Sequence, residues 1–293
     1  MFAAVACLTI PACGKKNPVE VVNAEVSGVT VVEPTSIVGD TDWAGWRGPQ
    51  GNGSAPLQDR PTTWDATTNI AWRVDFPGRG HSSPIVVGDA IYLATADDAA
   101  EEQAVLAFGR QDGTELWRTV IHKGSFPSRG DVHQKATNAN GTLACDGKRL
   151  FIAMLNGEAI HATALSLDGE IVWQKEIGKY VSRFGYAPSP VLYKSLVIFA
   201  AENSGGGYLA ALDSETGKVA WRIPRGEVDS YSTPAVANVG GRDQLLISGD
   251  DAVTSYDPAT GEEFWRTECI AESTCGTVVT SGDRIFASGG YPT

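Results

Sequence analysis

Clustered positive charge is the first thing this 293-residue chain lacks. It carries 23 Lys and Arg against 35 Asp and Glu, a net charge of −12. Nucleic-acid binding needs basic side chains gathered on one face, and a polybasic membrane patch needs the same; the composition excludes both. The only basic pair near an end is Lys15-Lys16. A long apolar run is also missing. The stretch Phe2 to Ala12 is far too short to span a bilayer. The five cysteines show no Cys-x-x-Cys and no Cys/His spacing of a zinc site, so no metal site is expected. Nothing with a helical period of useful length interrupts the chain, which excludes the α and α/β classes.

What is present is a repeat. Four times a turn glycine is followed four residues later by a tryptophan: Gly113/Trp117, Gly169/Trp173, Gly217/Trp221 and Gly261/Trp265. The Trp-to-Trp spacings of 56, 48 and 44 residues fit one four-stranded propeller blade and exceed most helical repeats. Each turn follows a short apolar run such as Leu209-Ala210-Ala211-Leu212. The loop is clearest as Asp213-Ser214-Glu215-Thr216-Gly217 and Asp257-Pro258-Ala259-Thr260-Gly261. There the Asp carboxylate can accept backbone N–H bonds and the Gly supplies a positive φ. The second copy is one residue shorter and ends Asp168-Gly169. Two further strands precede each hairpin, for example Ser83-Pro84-Ile85-Val86-Val87 and Ala90 to Thr95. The unit is therefore four short antiparallel strands, A to D, and the fold class is an all-β β-propeller.

The count does not close. Four units run from about Ser82 to Ile270, and a fifth begins at Thr274 and stops after its second strand. Asn69 to Val74 reads as an orphan D strand carrying Trp72. An open ring leaves a long unpaired strand edge, so the expectation is a fragment whose remaining blades lie beyond Thr293. The tryptophans read as blade-to-blade packing rather than a cofactor box.

The first 13 residues stand apart. Ile10-Pro11-Ala12-Cys13 after an apolar stretch resembles a bacterial lipobox, with Cys13 as the lipidated residue; an ordinary secretory signal is the other reading. Residues 14–41 are expected to be a linker, and residues 42–293 the propeller. Cys145 falls in a strand and is expected to be buried. Cys269 and Cys275 flank a blade junction and are a candidate disulfide in an oxidising compartment.

The unit Ala-Leu-Asp-x-x-Thr-Gly-x-x-x-Trp at residues 211–221 resembles the PQQ-type propeller repeat of quinoprotein dehydrogenases and of the outer-membrane assembly lipoprotein BamB. The segment Asp42-Trp43-Ala44-Gly45-Trp46-Arg47-Gly48-Pro49-Gln50-Gly51-Asn52-Gly53 is similar to one in BamB-like propellers of planctomycetes and related bacteria, as is Gly78 to Pro84. The resemblance implies seven or eight blades, of which about four to five are present. It also implies export to the periplasm or outer membrane, with a lipid anchor as the only membrane contact. In the dehydrogenases the axis holds the quinone, Ca²⁺, a catalytic Asp and two adjacent cysteines. This chain has no adjacent cysteines and no matching ligand set, so no cofactor and no catalytic residue are expected. PQQ with Ca²⁺ belongs to the alternative, a quinoprotein alcohol dehydrogenase or other enzyme.

The D-to-A connections turn inward and line one mouth of the channel, so they are the place for a site. They supply Arg79, His81 and Ser82, then Arg129, His133, Lys135 and Asn138 from a long insertion. The next two supply Arg183, Phe184 and Tyr186, then Asp229 and Tyr231. The reading is a binding scaffold for envelope proteins or peptides, or for a small ligand at the mouth; solvated rim residues are the plainer alternative.

Overall fold

The computed structural model describes residues 28–34, 38–55, 61–127, 133–181 and 183–290. Their strands fall in chain order into four four-stranded antiparallel sheets and one two-stranded sheet. The first sheet holds β1 (Ile85–Val87), β2 (Ala90–Asp97), β3 (Glu102–Gly109) and β4 (Glu115–Lys123). The second holds β5 (Ala144–Cys145), β6 (Arg149–Asn156), β7 (Ala159–Ser166) and β8 (Ile171–Lys179). The third holds β9 (Val191–Tyr193), β10 (Leu196–Ala201), β11 (Tyr208–Asp213) and β12 (Val219–Pro224). The fourth holds β13 (Ala235–Val239), β14 (Arg242–Gly249), β15 (Ala252–Tyr256) and β16 (Glu263–Glu268), and the fifth β17 (Val279–Ser281) and β18 (Arg284–Phe286). Every sheet is a meander, and β13 touches both β9 and β17, so the first strands converge on an axis. This is the propeller arrangement the repeat predicts.

The core lies between sheets rather than within them. In β10 every residue is buried, and the pleat sends alternate side chains to opposite faces. Val197, Phe199 and Ala201 pack toward the second sheet, while Leu196, Ile198 and Ala200 pack toward the fourth. A strand buried on both faces has no reason to alternate in polarity. The outer strands do alternate with water, as in β8, where Trp173 and Ile177 are buried among exposed neighbours.

The Gly-to-Trp interval is a latch between adjacent sheets. Gly113, Gly169, Gly217 and Gly261 all have φ between 68° and 88°. A Cβ on any of them would meet the tryptophan of the preceding unit, Trp72, Trp117, Trp173 or Trp221, at 2.5 to 2.9 Å. The indole N–H then donates to a carbonyl of that same turn: Trp72 to Arg110, Trp117 to Leu167, Trp173 to Ser214 and Trp221 to Pro258. The shortened second loop brings a carbonyl two residues before the glycine into the place that three residues supplies elsewhere. Trp265, at the end of the series, bonds Gln244 within its own sheet. Trp72 therefore makes the D-strand contact, but residues 69–74 are not hydrogen-bonded as a strand, because no described C strand runs beside them.

A second seam runs near the axis. The N–H of Ser83 donates to Thr142 Oγ1 at 3.1 Å, Thr142 N–H to Ser189 Oγ at 2.9 Å, and Ser189 N–H to Thr233 Oγ1 at 3.0 Å. A hydroxyl residue two positions ahead of each of β1, β5, β9 and β13 thus ties the first four sheets in series.

The segment ahead of the first sheet does not behave as a free tether. Val29 and Val31 pack on the core between the third and fourth sheets, and Val32 N–H donates to Ser195 Oγ at 3.0 Å. Trp43 exchanges both backbone hydrogen bonds with Val86, and Ala44 O accepts the Cys145 N–H at 2.8 Å. Trp46 Nε1 reaches Thr277 Oγ1 at 2.8 Å. Residues 42–52 therefore lie inside the ring and tie the first, second and fifth sheets together. The turn needs Gly48, where φ is 78° and a Cβ would stand 2.6 Å from the Trp43 ring. Cys13 and its apolar leader lie outside the described residues.

Candidate binding surface at the channel mouth

The connections from the outer strand of one sheet to the inner strand of the next gather at one mouth, and they touch in sequence. Arg79 is pinned by a two-way backbone bridge to Ala96, and its guanidinium donates to Gln134 O at 3.3 Å. His133 N–H donates to Arg183 O at 2.8 Å, while Lys135 N–H donates to His133 Nδ1 at 3.2 Å. The His133 ring lies 4.8 Å from Phe184, tilted 40°, and Phe184 meets Tyr231 edge-on at 5.8 Å and 84°. Arg183 stands 6.0 Å above the Phe184 ring. Tyr231 N–H donates to Thr274 O at 2.8 Å, carrying the chain of contacts to the fifth connection. Four of the connections thus present one arc: Arg79, His133, Lys135, Arg183, Phe184 and Tyr231. Phe184 is 41% exposed, a large apolar ring open at the mouth.

The other expected residues do different work. His81 is exposed and held by its N–H to Ala139 O. Ser82 turns its hydroxyl to the backbone, accepting the Ala94 N–H at 3.2 Å. Asn138 donates to Asp98 Oδ1 at 3.1 Å, away from the arc. Asp229 accepts the Ser204 N–H at 2.9 Å and closes the far end. Tyr186 is not at the mouth. It is 4% exposed, edge-on to Tyr180 in the core between the second and third sheets, because Gly185 turns the chain inward there. Burial pushes its hydroxyl well above the usual phenol range. Arg129 lies outside the described residues.

The expected Cys269–Cys275 bridge is not formed; both are free and exposed. The connection between them is held at separate stations, with Cys269 N–H on Asp251 O and Thr274 Oγ1 on Ser248 O. Cys145 is buried as expected, and burial raises its thiol to about 12, which removes thiolate reactivity at neutral pH.

A buried ion pair near the arc leaves no sign in the sequence. Arg225 and Glu202 side chains are 2% and 1% exposed. Arg225 Nε donates to Glu202 Oε1 at 2.8 Å and Nη1 to Tyr256 O–H at 2.7 Å. Glu202 Oε2 has no hydrogen-bond partner among the described residues. Charged residues separated by 23 positions leave no periodic trace, so only the three-dimensional path reveals them.

At the axis a cavity of about 280 Å³ is lined by Trp46, Gln50 and Asn52, with Ala144, Leu192, Val236, Val278 and Thr280 among the inner-strand residues. Calcium takes six to eight oxygen ligands, several of them carboxylate. No described carboxylate lines this cavity, and no three described His, Cys, Asp or Glu come together as metal ligands. The described residues that line this cavity do not fit a calcium-held quinone.

Known proteins place this geometry in context. The chain is 26% identical over 304 residues to the outer membrane protein assembly factor BamB of Burkholderia pseudomallei, covering 80% of this chain and 76% of that protein. It is 24% identical over 174 residues to the quinohemoprotein alcohol dehydrogenase ADH IIB of Pseudomonas putida, covering 58% of this chain but 24% of the dehydrogenase. Among solved structures, a europium-containing methanol dehydrogenase matches with a TM-score of 0.52 at 12% identity, over 80% of this chain and 59% of that one. The quinohemoprotein alcohol dehydrogenase of Comamonas testosteroni matches at 0.53 and 13%, over 78% and 41%. These two likenesses establish the propeller fold alone. A family model described as outer membrane protein assembly factor BamB matches residues 54–121 and 101–293, and the chain belongs to that family.

Proposed function

We propose that this chain is a non-catalytic propeller of the cell envelope that binds protein segments at the mouth formed by its inward connections. The observation that carries this reading is the contiguous arc His133–Phe184–Tyr231, in which three connections contribute rings, each within 5.8 Å of the next. An exposed aromatic cluster flanked by cations, on a rigid scaffold, has the make-up of an interface centre. The family's description as an assembly factor points the same way. Export and a lipid anchor at Cys13 belong to this proposal, on the strength of the apolar leader. Dehydrogenase relatives support a second reading, a PQQ-dependent oxidoreductase. The apolar inner strands weigh against it, since they offer no carboxylate set for the metal.

A site-specific photo-crosslinker decides between them. Placed at Phe184 or Tyr231 in the full-length protein in its own cells, it should trap a discrete envelope protein. Placed at Lys218, an exposed residue of a C–D turn on the opposite face, it should not. Equal trapping at both faces, or saturable quinone binding with dye-linked alcohol oxidation, overturns the proposal.

A further inference from the structure

The arc is cationic on a protein that is otherwise acidic. The chain carries −12, yet Arg79, Lys135 and Arg183 all stand at this mouth. All three are exposed, and among the described residues none of them makes an ion pair. Some cations elsewhere are paired with carboxylates, Lys123 with Glu102 at 3.0 Å and Lys194 with Glu33 at 2.8 Å. His133 adds ring N–H capacity, since its Nδ1 already accepts the Lys135 N–H and the proton of the neutral ring therefore sits on Nε2. Among the described residues, the stretches that supply the cations (77–84, 133–143 and 183–190) hold no carboxylate, and Asp229 in the fourth connection is turned to the Ser204 N–H at the far end. The arc is therefore polarised, with cations over the first three connections and rings continuing to Tyr231.

We infer that the mouth takes an acidic protein segment, an extended stretch whose Asp or Glu side chains meet Arg79, Lys135 and Arg183 and whose apolar side chain lodges against Phe184 and Tyr231. This rests on the protein-binding reading above and names the chemistry of the partner. Charge complementarity selects the sign: like charges elsewhere on the acidic surface repel such a segment and leave the arc as its landing place. The ring geometry selects a peptide over a sugar or a base. Tilts of 40° and 84° make notches between rings, whereas a pyranose or nucleobase wants one flat open face. Guanidinium groups pair carboxylates bidentately, which fixes register along an extended chain.

The test uses the full-length protein and three fluorescent dodecapeptides of equal length, each with one central Phe: one rich in Asp and Glu, one with Asn and Gln in their place, and one rich in Lys. Binding is read by anisotropy. The acidic peptide should bind about tenfold tighter than the neutral one at ~0.02 M salt, and the preference should shrink toward ~0.3 M as screening grows. The double variant Lys135→Glu/Arg183→Glu should lose that preference. It should keep the wild-type melting temperature, since both side chains are exposed. Phe184→Ala should weaken the acidic and neutral peptides alike. Equal affinity for acidic and neutral peptides, no binding by either, or binding indifferent to the charge reversal each overturn the inference, as does binding of a polysulfated sugar in place of the acidic peptide. Crosslinking at Phe184 and Tyr231 to an envelope protein, undiminished in the charge-reversed variant, would overturn the acidic assignment while leaving the protein-binding reading intact.

Discussion

His122 and His161 face each other across the first two sheets with ring centroids 4.9 Å apart, and His122 Nε2 is buried with no hydrogen-bond partner among the described residues. Burial first, and His161 second, push His122 down to about 4. In the unfolded chain the same imidazole titrates near 6.5. Between these values the unfolded chain binds the extra proton, so this contribution is fully present above pH 6.5 and is lost as the pH falls toward 4. Allowing for the ring's partial exposure, the loss is about 1–2 kcal/mol. Denaturant titrations at pH 7 and pH 4.5 should show it as a wild-type loss that His122→Gln lacks; identical losses in the two proteins would contradict it. The Arg225–Glu202 pair makes a second prediction at this scale. Both side chains are almost wholly buried, so removing one charge strands the other. Glu202→Gln should cost about 3–5 kcal/mol, and the double change Glu202→Leu/Arg225→Met less than the sum of the two single changes. Simple additivity in the thermal or chemical unfolding cycle would refute a coupled pair. Neither pair could be read from sequence, because each joins residues far apart in the chain with no shared period.

At the scale of the element, the latch between sheets is what the sequence spelled out. The interval from Gly217 to Trp221 was legible because a type of turn and a type of side chain recur at a fixed distance. What it could not convey is that each tryptophan serves the next unit's glycine rather than its own: Trp173 covers Gly217, and Trp221 covers Gly261. Sequence periodicity reports that a contact repeats, while the offset of one unit is a matter of how neighbouring sheets stack. The same limit explains Tyr186. Its loop lies between sheets, but direction within an irregular loop has no pattern, and Gly185 turns that side chain inward. The latch predicts unequal costs. Trp173→Ala removes a ring that is 8% exposed and should cost about 3–5 kcal/mol. Gly217→Ala should cost more than the ~1 kcal/mol of an unfavourable φ alone, because the new methyl would stand 2.8 Å from the Trp173 ring. Pairing Gly217→Ala with Trp173→Ala should recover part of that cost. If the pair is as damaging as the two added together, the steric account of the latch is wrong.

At the scale of the whole molecule, the ring is braced from inside. Residues 42–52 open the stretch that the sequence assigns to the propeller. That this loop enters the axis followed from nothing in its pattern, since its partners are 43, 101 and 231 positions away. Its attachments are unequal. Trp43 with Val86 and Ala44 with Cys145 use backbone groups that any side chain would supply. The link to the fifth sheet depends on one indole N–H, Trp46 Nε1 to Thr277 Oγ1 at 2.8 Å. The fifth sheet has two short strands, with Phe286 half exposed, so it holds the least buried surface of the five and should open first. Trp46→Phe keeps most of the apolar contact and removes the hydrogen bond, a change of about 1 kcal/mol. Spread over a cooperative unit that would be a small shift in melting temperature, but here it falls on the weakest element. Amide exchange in β17 and β18 should therefore quicken by about fivefold, while exchange in β6 and β10 stays at the wild-type rate. Thr277→Val should reproduce the effect, and the two changes together should do no more than either alone. Uniform acceleration through all five sheets would mean that Trp46 supports the fold at large and that the axial segment is no brace between its first and last units.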